Sequence, residues 1–177
     1  KSHKEFFNQL NPKPRLVVCA AGFFLNDNQI SSDFNLTKKI INTNFVGYVS
    51  ILEIIIEEFK RKNKGSIIGI SSVAGDRGRA SNFTYGSSKA AFSAYLSGLR
   101  NSIKDFNIQI MTVKPGFIAT KMTKELKFNK YLISTPEIVA KDIYKAWKKK
   151  KDTIYTPWYW KYIILILKLI PEKIFKK

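Results

Sequence analysis

The chain has 177 residues, 45% of them apolar, and a formal net charge of +18. That length supplies one hydrophobic core, and no repeat or low-complexity linker divides it. Its single cysteine, Cys19, excludes an internal disulfide, and neither Cys19 nor the lone histidine, His3, stands at a metal-ligand spacing.

In chain order, residues 15–20 read as a strand that runs into Cys19-Ala20-Ala21-Gly22. Residues 33–62 read as one long helix, capped by Ser32 or Asp33, with Phe34, Ile40, Phe45, Val49, Leu52, Ile56 and Phe59 on its apolar side. Asn44 falls inside that helix, where a polar side chain is costly unless it is satisfied; a hydrogen-bonded core asparagine is the plain reading. Residues 66–71 form an apolar run read as a buried strand, with Ser72 just after it. Residues 82–105 read as a helix that bears Tyr85 and Lys89, and residues 108–113 as a strand ended by Lys114-Pro115-Gly116. Thr135-Pro136 is a good start for a helix over 137–148, and residues 152–156 read as a last edge strand. Short strands, apolar on both faces and separated by helices, predict an α/β fold with a doubly wound parallel sheet of Rossmann type. Active groups in such folds gather at the carboxyl ends of the strands, where Gly22, Ser72 and Gly116 stand.

Tyr85, Lys89 and Ser72 are spaced to move a proton on and off a carbonyl oxygen. A four-residue separation puts Tyr85 and Lys89 on one helix face. A phenol titrates near ~10, and a neighbouring ammonium is expected to lower that value into a useful range. With eight tyrosines and 26 lysines, about one Tyr-x-x-x-Lys pair arises by chance. Tyr144/Lys148 is a second pair, read as a solvated helix face because no strand or serine feeds it. Ser71 rivals Ser72 as the partner hydroxyl, and the thirteen-residue spacing to Tyr85 favours Ser72.

These residues resemble the short-chain dehydrogenase/reductase family. Cys19-Ala20-Ala21-Gly22 is similar to the family's Asn-Asn-Ala-Gly turn, and Asn44, Ser72, Tyr85 and Lys89 match its Asn-Ser-Tyr-Lys set. Pro115-Gly116-Phe117-Ile118-Ala119-Thr120 is similar to its Pro-Gly turn. The resemblance covers about residues 15 to 156. It implies that NADP or NAD is the cofactor, held by Ala21, Gly22, Tyr85, Lys89, Pro115, Gly116 and Thr120. It implies that Tyr85 is the proton donor and that Lys89 lowers the phenol pKa and holds the nicotinamide ribose. Ser72 holds the substrate oxygen, Asn44 a water that resupplies protons, and the whole enzyme forms a homo-oligomer. Two departures stand out. Cys19 replaces the first asparagine, which removes a backbone brace. No Gly-x-Gly-x-x-Gly or Thr-Gly-x-x-x-Gly-x-Gly occurs among nine glycines, and Gly75 and Gly78 follow the wrong strand for one. The expectation is a partial domain over 1–156 that lacks the first three strands and binds dinucleotide weakly by itself.

A narrower likeness joins Asp76-Arg77-Gly78-Arg79, Ser81-Asn82-Phe83-Thr84-Tyr85-Gly86-Ser87 and the ending from Ile170 to the reductase components of decaprenylphosphoryl-ribose 2′-epimerase. It implies a lipid-linked 2-keto-sugar as substrate. Arg77 and Arg79 read equally as a grip on a phosphate or sugar hydroxyl and as a solvated basic loop.

Residues 141–177 carry eleven lysines against Asp142, Asp152 and Glu172, a field that attracts anionic lipid, phosphate or an acidic carrier protein. Within the extension 157–177, the aromatic and aliphatic run 158–170 is interrupted by Lys161 and Lys168. It is too short to span a bilayer, which takes about 20 apolar residues, and suits a helix lying at a membrane surface. An apolar lid or subunit contact is the competing reading. The leading function is NAD(P)H-dependent reduction of a ketone on a hydrophobic or lipid-linked substrate. The single cysteine fits a reducing compartment, so the expected location is cytoplasmic, and the C-terminal segment adds a peripheral position on the inner membrane face as an expectation. Reduction of 3-oxoacyl groups on an acidic carrier and a catalytically silent membrane-surface module are the alternatives. No RNA-binding signature or zinc finger supports a nucleic-acid partner.

Overall fold

A computed structural model describes residues 2–30, 33–120 and 130–175. Four strands, β1 (Leu16–Cys19), β2 (Gly65–Ile70), β3 (Ile108–Pro115) and β6 (Thr153–Thr156), form a parallel sheet in the order β1-β2-β3-β6. The small strands β4 (Phe117–Ile118) and β5 (Ile133–Ser134) pair beside it. Val17 aligns with Ile67, and Ile67 with Ile110, so all carboxyl ends point the same way. The expected strands and the edge position of residues 153–156 are present.

One core cluster lies between the sheet and two helices. Helix α4 (Gly47–Lys62) contributes Leu52, Ile55, Ile56 and Phe59, and α5 (Phe83–Ser102) contributes Phe92 and Leu96; all are buried against Ile67 and Ile110. The second layer is α6 (Pro136–Lys148), whose Ile143, Ala146 and Trp147 cover Ile68, Met111 and Val113. Thr135 accepts from the Ile138 amide and Pro136 opens the helix, as the sequence predicts. The remaining helices are α1 (His3–Gln9), α2 (Asp27–Ile30), α3 (Phe34–Ile41), α7 (Trp160–Leu169) and α8 (Glu172–Phe175).

The long helix expected over 33–62 differs in one respect. It is α3 and α4 joined by a π-helical turn, Asn42–Val46, with Asn44 at its centre. The wider turn adds a residue and rotates what precedes it, so Phe34 is 69% exposed although Ile40 and Leu52 are sealed. Of the two expected caps, Asp33 accepts from the Asn35 amide, and Ser32 lies outside the described residues. The helical run Phe34–Lys62 is apolar and long enough to cross a membrane by composition alone. It is the sheet-packing helix instead, with Glu57, Glu58, Arg61 and Lys62 on its outer side.

Candidate active site

The site stands where β1 and β2 end against the start of α5. Ser72 follows β2 and opens a 3-10 turn, Val73–Gly75, in which its Oγ accepts the Ala74 amide at 3.1 Å. That leaves the hydroxyl proton of Ser72 to donate outward. The same turn touches α5 backbone to backbone: a Cβ on Gly75 would sit 2.7 Å from the Ala90 nitrogen and 2.8 Å from the Lys89 carbonyl carbon. A glycine here lets the turn lie on the helix, and so brings Ser72 to Tyr85 one turn back.

Tyr85 sits in the first turn of α5. No side chain of Asn82 caps that helix; instead the Asp27 carboxylate accepts the Thr84 amide at 3.3 Å. Phe24 packs edge-on to the Tyr85 ring at 5.1 Å. Burial pushes the Tyr85 phenol up to about 12, and a hydrogen bond with Ser72 pulls the other way. Lys89 is 3% exposed and its Nζ donates to the Ile70 carbonyl at 3.0 Å. It lies 5.8 Å from the Tyr85 ring centre, and burial pulls its pKa down to about 8.

This corrects the expectation that Lys89 lowers the phenol. The spacing puts the two side chains together, but the ammonium is aimed at the strand end and desolvation dominates both groups. The Cys19 thiol is pushed up to about 12 by burial, so it is a neutral, inert neighbour.

Ser71 does not compete with Ser72. Its buried hydroxyl donates to the Lys89 carbonyl at 2.9 Å and pairs with Ser93 at 2.7 Å, which makes it a rivet between β2 and α5. Tyr144 and Lys148 lie on the exposed side of α6.

Asn44 is fully buried and its amide is spent. Its Oδ1 accepts the Phe23 amide at 2.8 Å, and its Nδ2 donates to the Phe23 carbonyl at 2.8 Å and to Ser88 Oγ at 3.1 Å. Ser88 in turn donates to the Tyr85 carbonyl at 2.6 Å. Asn44 therefore ties the loop after β1 to the helix that carries Tyr85. Tyr48, which donates to the Ala21 carbonyl, braces the same loop. These two supply the bracing that Cys19 cannot. Tyr48 was not singled out in the sequence; its place one turn after Asn44, on the same helix face, is the signal that marks it.

Ala21 and Gly22 lie on that braced loop. Gly116 meets the indole of Trp160, and its amide donates to the Thr156 carbonyl at 3.0 Å. Thr120 is exposed beyond β4. Lys89, a buried amine that donates to the Ile70 carbonyl at the end of β2, is chemically suited to hold the nicotinamide end of a dinucleotide through a further N–H. No phosphate-binding glycine turn occurs in the chain.

Arg77 does not reach toward the site. Its guanidinium donates to the Leu167 carbonyl at 2.6 Å and the Ile170 carbonyl at 2.8 Å, pairs with Glu172 at 3.0 Å and stacks on Phe175 at 4.2 Å. It caps the end of α7, which the sequence reading of a solvated or ligand-gripping loop missed. Arg79 is half-buried, and desolvation lowers its pKa.

A profile of the short chain dehydrogenase family matches residues 10–130. The chain is similar to an uncharacterized oxidoreductase of Mycobacterium tuberculosis, 29% identical over 161 residues, which are 91% of this chain and 64% of the relative. It is also similar to the NADP-dependent 3-hydroxy acid dehydrogenase of Schizosaccharomyces pombe, 30% identical over 151 residues, 78% of this chain and 58% of the relative. The chain thus spans less than two thirds of both curated relatives. A short chain dehydrogenase from Burkholderia cenocepacia, solved in complex with NADP, superposes with a TM-score of 0.80 at 20% identity over 94% of this chain and 69% of that one. At that identity the likeness concerns the fold, a Rossmann-like parallel sheet between helices. With two thirds of its residues under the family profile and the same fold, the chain belongs to the short-chain dehydrogenase/reductase family.

Proposed function

We propose that the complete protein reduces a ketone to an alcohol with NADPH or NADH. The observation that carries this reading is Tyr85 in contact with Ser72 at the end of β2, with Lys89 buried one helical turn behind. When bound, the dinucleotide supplies the hydride that adds to the carbonyl carbon. Ser72, its oxygen already accepting from Ala74, donates to the carbonyl oxygen and so meets the charge that grows there. Tyr85, with its proton held firmly by burial, gives that proton only as the oxygen becomes a strong base, and the product carries C–H and O–H where C=O stood. Lys89, one helical turn behind and donating to the Ile70 carbonyl, is a buried amine whose pKa near 8 suits a part in proton return. Ala21, Gly22, Tyr85, Lys89, Pro115, Gly116 and Thr120 are the residues we assign to the nicotinamide end.

The finer reading is a hydrophobic, lipid-linked keto-sugar such as a polyprenyl-phosphate 2-keto-pentose. Phe24 gives Tyr85 an apolar neighbour, and α7 adds apolar surface beside the Pro115–Gly116 turn. Arg79, half-buried and without a carboxylate partner among the described residues, suits a phosphate. The test is oxidation of NADPH or NADH by the purified complete protein, with keto-sugar lipids, 3-oxoacyl carrier substrates and simple ketones offered in parallel. Turnover of the keto-sugar lipid supports the finer reading. Turnover of the acyl-carrier substrate alone moves the assignment to that class, and no turnover with any ketone overturns the reductase.

A further inference from the structure

Helix α7 is apolar on two opposite sides. At about 100° per residue, Trp160, Ile163, Ile164 and Leu167 share one stripe, and Trp158, Tyr162, Leu165, Ile166 and Leu169 share another half a turn away. The first stripe faces inward: Trp160 and Ile164 are 2% exposed and pack on Val73, Phe117 and Tyr155. The second is open, with its members and Ile174 between 55 and 74% exposed. Trp158, just before the helix, joins that stripe by stacking edge-on to Tyr162 at 5.9 Å.

The inner side is clamped to the site. Besides the Arg77 cap, Asp76 accepts from Lys114 at 2.6 Å, Tyr155 at 3.0 Å and Lys168 at 3.4 Å. Asp76 and Arg77 directly follow the Ser72 turn, and Trp160 lies on Gly116. The helix is thus held beside the carboxyl ends of β2 and β3, with an aromatic-rich apolar stripe turned outward.

The charges around that stripe are positive. Lys161 stands on one flank and Lys173 follows, while Lys168, two turns after Lys161 on the same flank, is paired with Asp76. Glu172 is the one carboxylate between Trp158 and Phe175, and Arg77 occupies it. Tyr and Trp at the ends, aliphatics between them and lysines alongside match the interface of an anionic bilayer. There the apolar stripe enters about 5–10 Å and the lysine stems reach back to lipid phosphates.

We propose that the outward stripe of α7 docks the protein on an anionic lipid bilayer, with the carboxyl ends of the sheet turned toward the membrane. The proposal does not rest on the reductase reading, because binding is read without turnover. The probes are vesicles of phosphatidylglycerol with phosphatidylcholine, compared with phosphatidylcholine alone, in flotation assays on the complete protein. Wild type floats with the anionic vesicles at least tenfold more than with neutral ones. Leu165→Gln/Leu169→Gln and, separately, Lys161→Glu/Lys173→Glu each lower that binding about tenfold at an unchanged melting temperature. All these positions are exposed, so the fold survives the changes. Brominated acyl chains quench tryptophan emission in wild type but not in Trp158→Phe. Variants that float like wild type, or quenching that persists without Trp158, overturn the proposal. So does a wild type that ignores vesicles and self-associates through the stripe, as a monomeric Leu165→Gln/Leu169→Gln variant would reveal.

Discussion

Tyr85/Lys89 and Tyr144/Lys148 carry the same four-residue spacing on two helices of one molecule, and they have little else in common. Lys89 is sealed under the β2 end and donates to Ile70, whereas Lys148 lies in solvent over the Tyr144 and Trp147 rings at 6.0 and 5.8 Å. Burial pushes the Tyr85 phenol and the Lys89 ammonium toward their neutral forms. Ser72 stands by Tyr85, and no serine stands thirteen residues before Tyr144. Helical spacing alone puts a phenol beside an amine. A strand end, a serine-bearing turn and the loss of water are what set Tyr85/Lys89 apart from the surface pair.

The sharpest way to break the contrast is to remove one oxygen from each phenol. Tyr85→Phe in the complete protein should cut ketone-dependent cofactor oxidation by about 10²–10⁴-fold. Tyr144→Phe should stay within about twofold, as surface substitutions do. Equal losses at both positions would dissolve the distinction.

Next come the two adjacent serines. Ser72→Ala should lower turnover about 10²-fold by removing the donor to the carbonyl oxygen, with little change in melting. Ser71→Ala should instead cost about 1 kcal/mol of stability by chemical denaturation, since it loses bonds to Lys89 and Ser93. Gly75→Ala tests the turn that joins Ser72 to α5. Its new methyl meets the Lys89–Ala90 backbone, so a loss of about 1–3 kcal/mol and a fall in turnover are expected together.

The smallest effect is in pH dependence. The folded-state pKa of Lys89, about 8, lies below its ordinary 10.5, so the unfolded chain binds more protons between those values. Its contribution to stability is therefore full above 10.5 and is lost as pH falls through about 8. Tyr85, raised from 10 to about 12, acts in the opposite sense but only above pH 10. Urea melts from pH 8 to 10 should show wild type gaining on the order of 1–2 kcal/mol relative to Lys89→Met. Lys148→Met serves as the exposed control, and a wild-type difference that stays flat over that window would remove Lys89 as a desolvated cation.

Much of the architecture was legible in the chain by itself. The alternation of apolar runs and amphipathic segments, the Thr135-Pro136 start and the edge strand near 153–156 depend on local periodicity and caps, which sequence records directly. The nearness of Tyr85 and Lys89 was legible for the same reason, since a fixed helical rise per residue converts spacing into position, whereas the choice of Ser72 rested on the resemblance. The sequence could not show what reaches across the fold. Asn44, in the π-helical turn, bonds to Phe23, twenty-one residues away, and Tyr48 braces Ala21. Arg77 found its partners at the end of α7, some ninety residues on, rather than in a ligand or in water. The direction in which Lys89 points, and hence the rise rather than fall of the Tyr85 pKa, was decided by tertiary structure. Desolvation depends on every atom packed around a group, and no interval along the chain encodes that sum.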